Sequence, residues 1–372
     1  MNWTDLYRLI EQITIGYRKG GRFCFAALVA AFLYHERYHT SNAVDSLSRV
    51  RNLSARMAYR KIEKFLKRKT MRLECIWQWL WWSYTRHLSD CYVVIDWTMW
   101  KDGRQVLLAG IMHSSRCLPF LAVAYDIRKM ERSQNQAESA FFIILRLLRR
   151  VGQRITCIND RGFARISLLK ELSDSSLHFI TRVCHGTYFA NEKYQGLLKD
   201  LPLKMDQIRD LGLGMLGKEK KNQTTIRLVA YRAKGYKAPW YIATDRLDLS
   251  AQQIVDLYTR RMGIEAGFRD IKGLRYGWGL KTIKTSSDVQ LSVLWTAAMV
   301  AYALRMAAGA YALEQDKQAM FNWTRKGPRR SLLSVGRNAI TSGCLKIEEL
   351  LNQLPKLALR LDNVETKLKR AA

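Results

Sequence analysis

From Tyr92 to Val183 the hydrophobic period of the chain switches repeatedly, and this order of periods restricts the fold more than any other feature. YVVIDWT is a short β-branched run carrying Asp96, and KDGRQ supplies an Asp-Gly turn at Asp102 and Gly103. VLLAGIMH and LPFLAVAYD read as two further strands of a meander. SQNQAESAFFIILRLLRRVG then reads as a helix, RITCIND as a strand ending at Asp160, RGFARISLLKELS as a second helix and LHFITRV as a fifth strand. The order β-β-β-α-β-α-β predicts an α/β class. Asp96, Asp126 and Asp160 each stand at or near a strand end, where a lone Asp also serves as a turn or capping residue.

A second constraint lies downstream. SAQQIVDLYTRRMGIEAGFRDIK (250–272) reads as one helix opened by Ser250. At about 100° per residue, Tyr258, Arg261, Glu265 and Lys272 share an arc of roughly 80°. A phenol, a guanidinium, a carboxylate and an ammonium on one stripe suit a site where a carboxylate holds a cation while positive groups grip phosphates. The stripe also suits an amphipathic helix with an internal ion pair. Gly263 and Gly267 weaken such a helix by about 1 kcal/mol each relative to Ala, so packing has to compensate or the backbone has to approach a neighbour closely.

The spacing Y-x2-R-x3-E-x6-K resembles the signature of bacterial insertion-sequence DDE transposases of the cut-and-paste, hairpin-forming type. The resemblance implies a ribonuclease-H-like (retroviral-integrase-like) core over residues 91–280, in which the first and fourth strands are neighbours, with a β-rich insertion at about 184–240. It implies all-α flanks at 1–90 and 281–372, the latter for dimerisation or DNA contact. Asp96, Asp160 and Glu265 would be the catalytic, metal-binding triad, holding two Mg2+ (or Mn2+) ions per active site, as oxygen-only ligands favour over zinc. Asp126, on the third strand, has no ligand counterpart in that family. Tyr258, Arg261 and Lys272 would hold the phosphate of the non-transferred strand. Trp240 resembles a residue that stacks on a flipped base, and Arg182 one directed at phosphate. The implied partners are double-stranded DNA, as transposon end repeats and target, and a second copy of the chain in a DNA-bound homodimer.

Charge points the same way independently. Sixty-two Lys and Arg against 32 Asp and Glu give +30, which implies a polyanionic partner, nucleic acid first. A hydrophobic fraction of 48% and 11 Trp mark a folded protein with a basic surface. In SARMAYRKIEKFLKRK, Ala58, Ile62, Phe65 and Leu66 form an apolar face opposite Arg56, Arg60, Lys64 and Arg68. With the short helix before it, this predicts a helix-turn-helix over 42–68 whose basic face meets DNA, although a solvated basic helix has the same pattern. Trp77, Trp79, Trp81 and Trp82 are expected to pack between this region and the core.

Other features narrow the choice. Scattered cysteines with no C-x-x-C pair, and no secretory leader pattern, predict a reducing compartment, and the resemblance implies a nucleoid-associated setting in the cytoplasm of a bacterium. Residues 289–311 form the most apolar run, but Gln290 and Arg305 shorten it, so a buried helix with no membrane partner is expected. LGLGMLGK lacks the P-loop spacing, which excludes a nucleotide cofactor, while KEKK and WTRKGPRRS are basic runs suited to phosphate. His35, Glu36 and His39 fit H-E-x-x-H and offer a zinc hydrolase as a remote alternative. A catalytically inactive, transposase-derived DNA-binding protein is the nearer one.

Overall fold

A computed structural model describes residues 3–100, 103–113, 116–129, 134–219, 222–236, 238–273, 277–315, 323–324, 327–328, 331–343, 345 and 347–357. Five helices come first: α1 (Trp3–Ile13), α2 (Lys19–Tyr34), α3 (Thr40–Arg51), α4 (Ala55–Leu66) and α5 (Glu74–Thr85). The core follows as β1 (Asp90–Met99), β2 (Arg104–His113), β3 (Arg116–Asp126), α6 (Gln134–Leu148), β4 (Arg154–Asn159), α7 (Ile166–Asp174) and β5 (His178–Val183), in the order read from the periodicity. Val93, Val94 and Ile95 of β1 are all fully buried, as expected of a central strand covered on both faces.

Beyond β5 come β6 (Tyr188–Ala190), β7 (Gln195–Leu197), β8 (Ile208–Leu216), β9 (Thr224–Tyr231) and β10 (Trp240–Thr244). These strands are not a separate module. β10 adds antiparallel to β5, giving one ten-stranded sheet ordered β3-β2-β1-β4-β5-β10-β9-β8-β6-β7. The Gly-rich piece LGLGML lies within β8. Its glycines allow this for separate reasons. Gly212 takes φ +75° at a bulge, and a Cβ on Gly214 would lie 2.4 Å from the ring of Phe189.

The single helix expected over 250–272 is two, α8 (Ala251–Arg260) and α9 (Gly263–Lys272). At the join, Arg261 N bonds Tyr258 O at 3.0 Å and Ile264 N bonds Arg261 O at 3.1 Å, the three-residue spacing of a tightened turn. Low-propensity Gly263 follows at once. Gly267 answers its own helix cost by packing, since a Cβ there would sit 3.4 Å from the Cys117 carbonyl of β3.

The long α10 (Asp288–Glu314) is the one described helix with the length and hydropathy to cross a membrane, and its apolar window is entirely buried in protein. It packs on β3, on α2 and on α11 (Leu332–Thr341), so the helical flanks share one core. A Cβ on Gly336 of α11 would fall 1.8 Å from the Arg305 carbonyl, so the two helices touch backbone to backbone there. Buried Arg305 is satisfied by the carbonyls of Leu33 and His35 and by the face of Trp278. The chain continues through a short hairpin, β11 (Trp323–Thr324) and β12 (Gly327–Pro328), to α12 (Ile347–Gln353). Among the expected basic runs, Lys220, Lys221, Arg325, Lys326, Arg329 and Arg330 lie outside the described residues, as does Asp102 of the expected turn.

Trp77 and Trp81 behave as expected, for Trp77 donates to Thr296 of α10 at 3.1 Å and Trp81 packs on Phe120 of β3. Trp82 is instead half exposed.

Candidate active site

β1 and β4 run parallel, and their last ladder pair is Ile95 with Asn159. Asp96 and Asp160 are the next residue on each strand, so backbone pairing delivers both acids to the same end of the sheet. Asp96 is mostly buried, at 21% side-chain exposure, and its Oδ1 accepts from Trp97 N at 2.8 Å. Asp160 caps the turn after β4, accepting from Arg161 N at 2.6 Å. Burial pushes the Asp96 carboxyl up to about 6, with Asp160 adding to the rise and Arg261 opposing it.

Arg261 is the cation at this end of the sheet. Its Nη1 lies 3.1 Å from Asp96 Oδ2. Burial works against its charge, yet Tyr258 and the three acids Asp160, Asp96 and Glu265 together hold its pKa above the usual value. Tyr258 is buried, stacked edge-on against Trp240 at 5.3 Å and lying under the Arg261 guanidinium. Trp240, also packed on Tyr231 and Tyr236, is 5% exposed, so an open stacking platform is not what it presents here. Arg182 pairs in register with Ile242 of β10 and lies within electrostatic reach of Tyr258.

The tightened turn at Arg261 alters the stripe expected of a straight helix. Tyr258 and Arg261 turn inward, while Glu265 is exposed and lines a cleft of about 640 Å3 with Phe268, Arg269, Lys272, Gly273, Lys281 and Thr282. Lys272 crosses to β1 and donates to Thr98 Oγ1, two residues beyond Asp96. Burial and the neighbouring Lys281 lower its pKa, while Asp96 and Glu265 oppose that shift. Tyr258, Arg261, Glu265 and Lys272 therefore all lie along the end of β1, but their tips are divided between a buried stack and an open cleft. Among the described residues no three His, Cys, Asp or Glu side chains form a ready metal-binding group. Asp96 and Asp160 are neighbours, and Glu265 is within electrostatic reach of Arg261.

Asp126, the competing strand-end acid, is buried and paired with Arg128. The zinc alternative fails on local geometry. Its two His must sit one helical turn apart, but α2 ends at Tyr34 and residues 35–39 are non-helical. His35 and His39 are extended caps, and Glu36 pairs with Arg337.

A family model described as the transposase DDE domain matches residues 89–304, more than half of the chain. The chain belongs to that family. No curated relative matches it. The matched span opens one residue before β1 and takes in the whole ten-stranded sheet, α8, α9 and most of α10. Family membership makes the protein a transposase and implies DNA as its partner.

Outside the matched span, α3 and α4 of the transposase are joined by a short turn in which Asn52 is left-handed (φ 47°) and Ser54 caps Met57 N. Ala58, Ile62, Phe65 and Leu66 are buried as expected, and Arg56, Arg60 and Lys64 are exposed. Met57 and Tyr59, which the charge pattern did not single out, are each 51% exposed on the same helix.

Proposed function

We propose that this transposase catalyses cut-and-paste transposition of an insertion sequence by phosphodiester hydrolysis and strand transfer, on a ribonuclease-H-like core, with Asp96, Asp160 and Glu265 as its metal-binding carboxylates. The observation that carries the reading is that the β1–β4 ladder brings Asp96 and Asp160 to the same end of the sheet, where buried Arg261 pairs with Asp96 and feels the charge of Glu265. The order β3-β2-β1-β4-β5 within the sheet supports the fold assignment.

The donor set fits a hard divalent ion. It is all oxygen, and Asp96 is a buried carboxylate crowded by a second one, which a cation relieves. Asp96, Asp160 and Glu265 would together hold two Mg2+ or Mn2+ ions. When bound, such a pair favours deprotonation of the attacking water and offsets charge on the leaving 3′ oxygen. Arg261 exchanges Asp96 for a DNA phosphate, and Tyr258 and Lys272 grip the same phosphate of the non-transferred strand. Trp240 becomes available to a flipped base once Tyr258 moves to that phosphate, and Arg182 approaches the backbone from β5. Water cleaves the first strand and leaves a 3′-OH; that hydroxyl attacks the opposite strand to form a hairpin. A second water opens the hairpin, and the freed 3′-OH joins target DNA. Two copies of the chain act together on paired ends, on chromosomal DNA in the bacterial cytoplasm.

The test is to incubate the full chain with duplex carrying the element's ends. Nicks ending in 3′-OH are expected with Mg2+ and none with EDTA; tight binding without nicking in Mg2+ or Mn2+ would instead identify an inactive descendant. The α4 face makes a separate prediction. Substituting Arg56, Arg60 and Lys64 together by Ala should reduce the slope of log affinity against log salt by about 3, since each neutralised phosphate contributes about 0.9. An unchanged slope would remove α4 from the DNA interface.

A further inference from the structure

The β1–β4 ladder ends at Ile95 and Asn159; Asp96 stays within β1, paired with Leu108 of β2, while Asp160 stands in the turn after β4. A side chain outside the triad also ties these two segments together. Glu138, on α6, is 1% exposed. Its Oε1 accepts from the indole Nε1 of Trp97 at 2.9 Å and from Gln134 Nε2 at 3.2 Å, and its Oε2 is ion-paired with Arg165. Trp97 is the residue after Asp96, and its backbone N–H already holds the Asp96 carboxylate. Arg165 closes the turn that begins at Asp160, and its second nitrogen reaches Asn135 O on the first turn of α6. Within that turn, buried Phe163 packs edge-on against Phe142 of the same helix.

We infer that Glu138 is a positioning residue for the transposase's metal site: one buried carboxylate ties the segment carrying Asp96 to the turn carrying Asp160 and so helps to set their spacing. The inference rests on the triad reading above. A buried carboxylate is costly unless its acceptor sites are used, and Glu138 uses both oxygens on partners from those two segments. A wholly structural Glu could have bonded anywhere along α6. This one joins the two residues whose displacement would move the acids.

Mn2+ binding by the full chain, followed by electron paramagnetic resonance, tests the inference without depending on turnover. Glu138→Gln keeps an acceptor for Trp97 and loses the charge facing Arg165. Trp97→Phe removes only the indole donor and guards against misfolding in the first variant. Each is expected to weaken Mn2+ binding about tenfold and to raise the Mg2+ concentration needed for half-maximal nicking by a similar factor, with duplex affinity unchanged. Loss of stability alone would lower the folded fraction and leave the Mn2+ affinity of the folded protein as it was. Wild-type Mn2+ affinity in both folded variants would overturn the inference. If Asp160→Ala binds Mn2+ as tightly as wild type, the triad reading has failed and the positioning role falls with it; if Asp160→Ala loses Mn2+ and the Glu138 and Trp97 variants do not, only the positioning role is lost.

Discussion

Replacing Asp96, Asp160 or Glu265 singly by Ala should lower nicking of end-bearing DNA by about a thousandfold, or about 4 kcal/mol of transition-state stabilisation, while gel-shift affinity for the same duplex is retained. Each acid would ligate at least one of the two ions, so losing any one weakens the pair that the reaction needs. The variants should differ in stability. Glu265 is exposed at the start of α9, and its removal should change thermal stability by no more than about 0.5 kcal/mol. A Glu265→Ala protein that nicks at the wild-type rate would move the third ligand elsewhere. The exposed position of Glu265 and the pairing of Arg261 with Asp96 make it the member of the triad under the sharpest test.

The second large effect has the opposite sign. Burial raises Asp96 to about 6 from an ordinary value of 3.8, so folding favours its protonated form. The stabilisation associated with that proton is complete below about pH 4 and is lost as pH rises through 6. Above that the ionised carboxylate weighs against the folded state by at most about 3 kcal/mol. Asp96→Asn resembles the protonated acid at every pH. In EDTA it should therefore unfold at a higher temperature than wild type at pH 8, with the difference disappearing toward pH 4, while nicking is abolished. A lower melting temperature for Asp96→Asn at pH 8 would mean that Arg261 more than compensates the buried charge. Opposed effects on stability and activity at one residue are the pattern of a site built to receive a cation.

Much of this was legible along the chain because the relevant signals are local. Strand and helix periods from Tyr92 to Val183, the capping Ser250, and the two faces of α4 each depend on residues within a few turns of one another, and each formed where its pattern lay. The parallel pairing of β1 with β4, which carries Asp96 and Asp160 to one end of the sheet, came from the resemblance. Local signals have limits even at short range. A segment rich in glycine, a residue disfavoured in strands, lies in β8, where the bulge at Gly212 and the contact of Gly214 with Phe189 need residues without side chains. The smooth helix over 250–272 is interrupted by a tightened turn just before Gly263, at which Arg261 pairs with Asp96.

By itself, then, the sequence determined the α/β order, the acids at the strand ends, the basic face of α4 and the burial of α10, since propensity and amphipathicity are properties of neighbouring residues. Only the tertiary structure decided which strands meet and which charges share a site. It joined β10 to β5, set Arg261 against Asp96, sheltered Trp240 under Tyr258 and recruited Glu138 from α6. Those outcomes depend on partners far apart along the chain, where the cost of burying a charge is set by whatever counter-charge the fold brings to it.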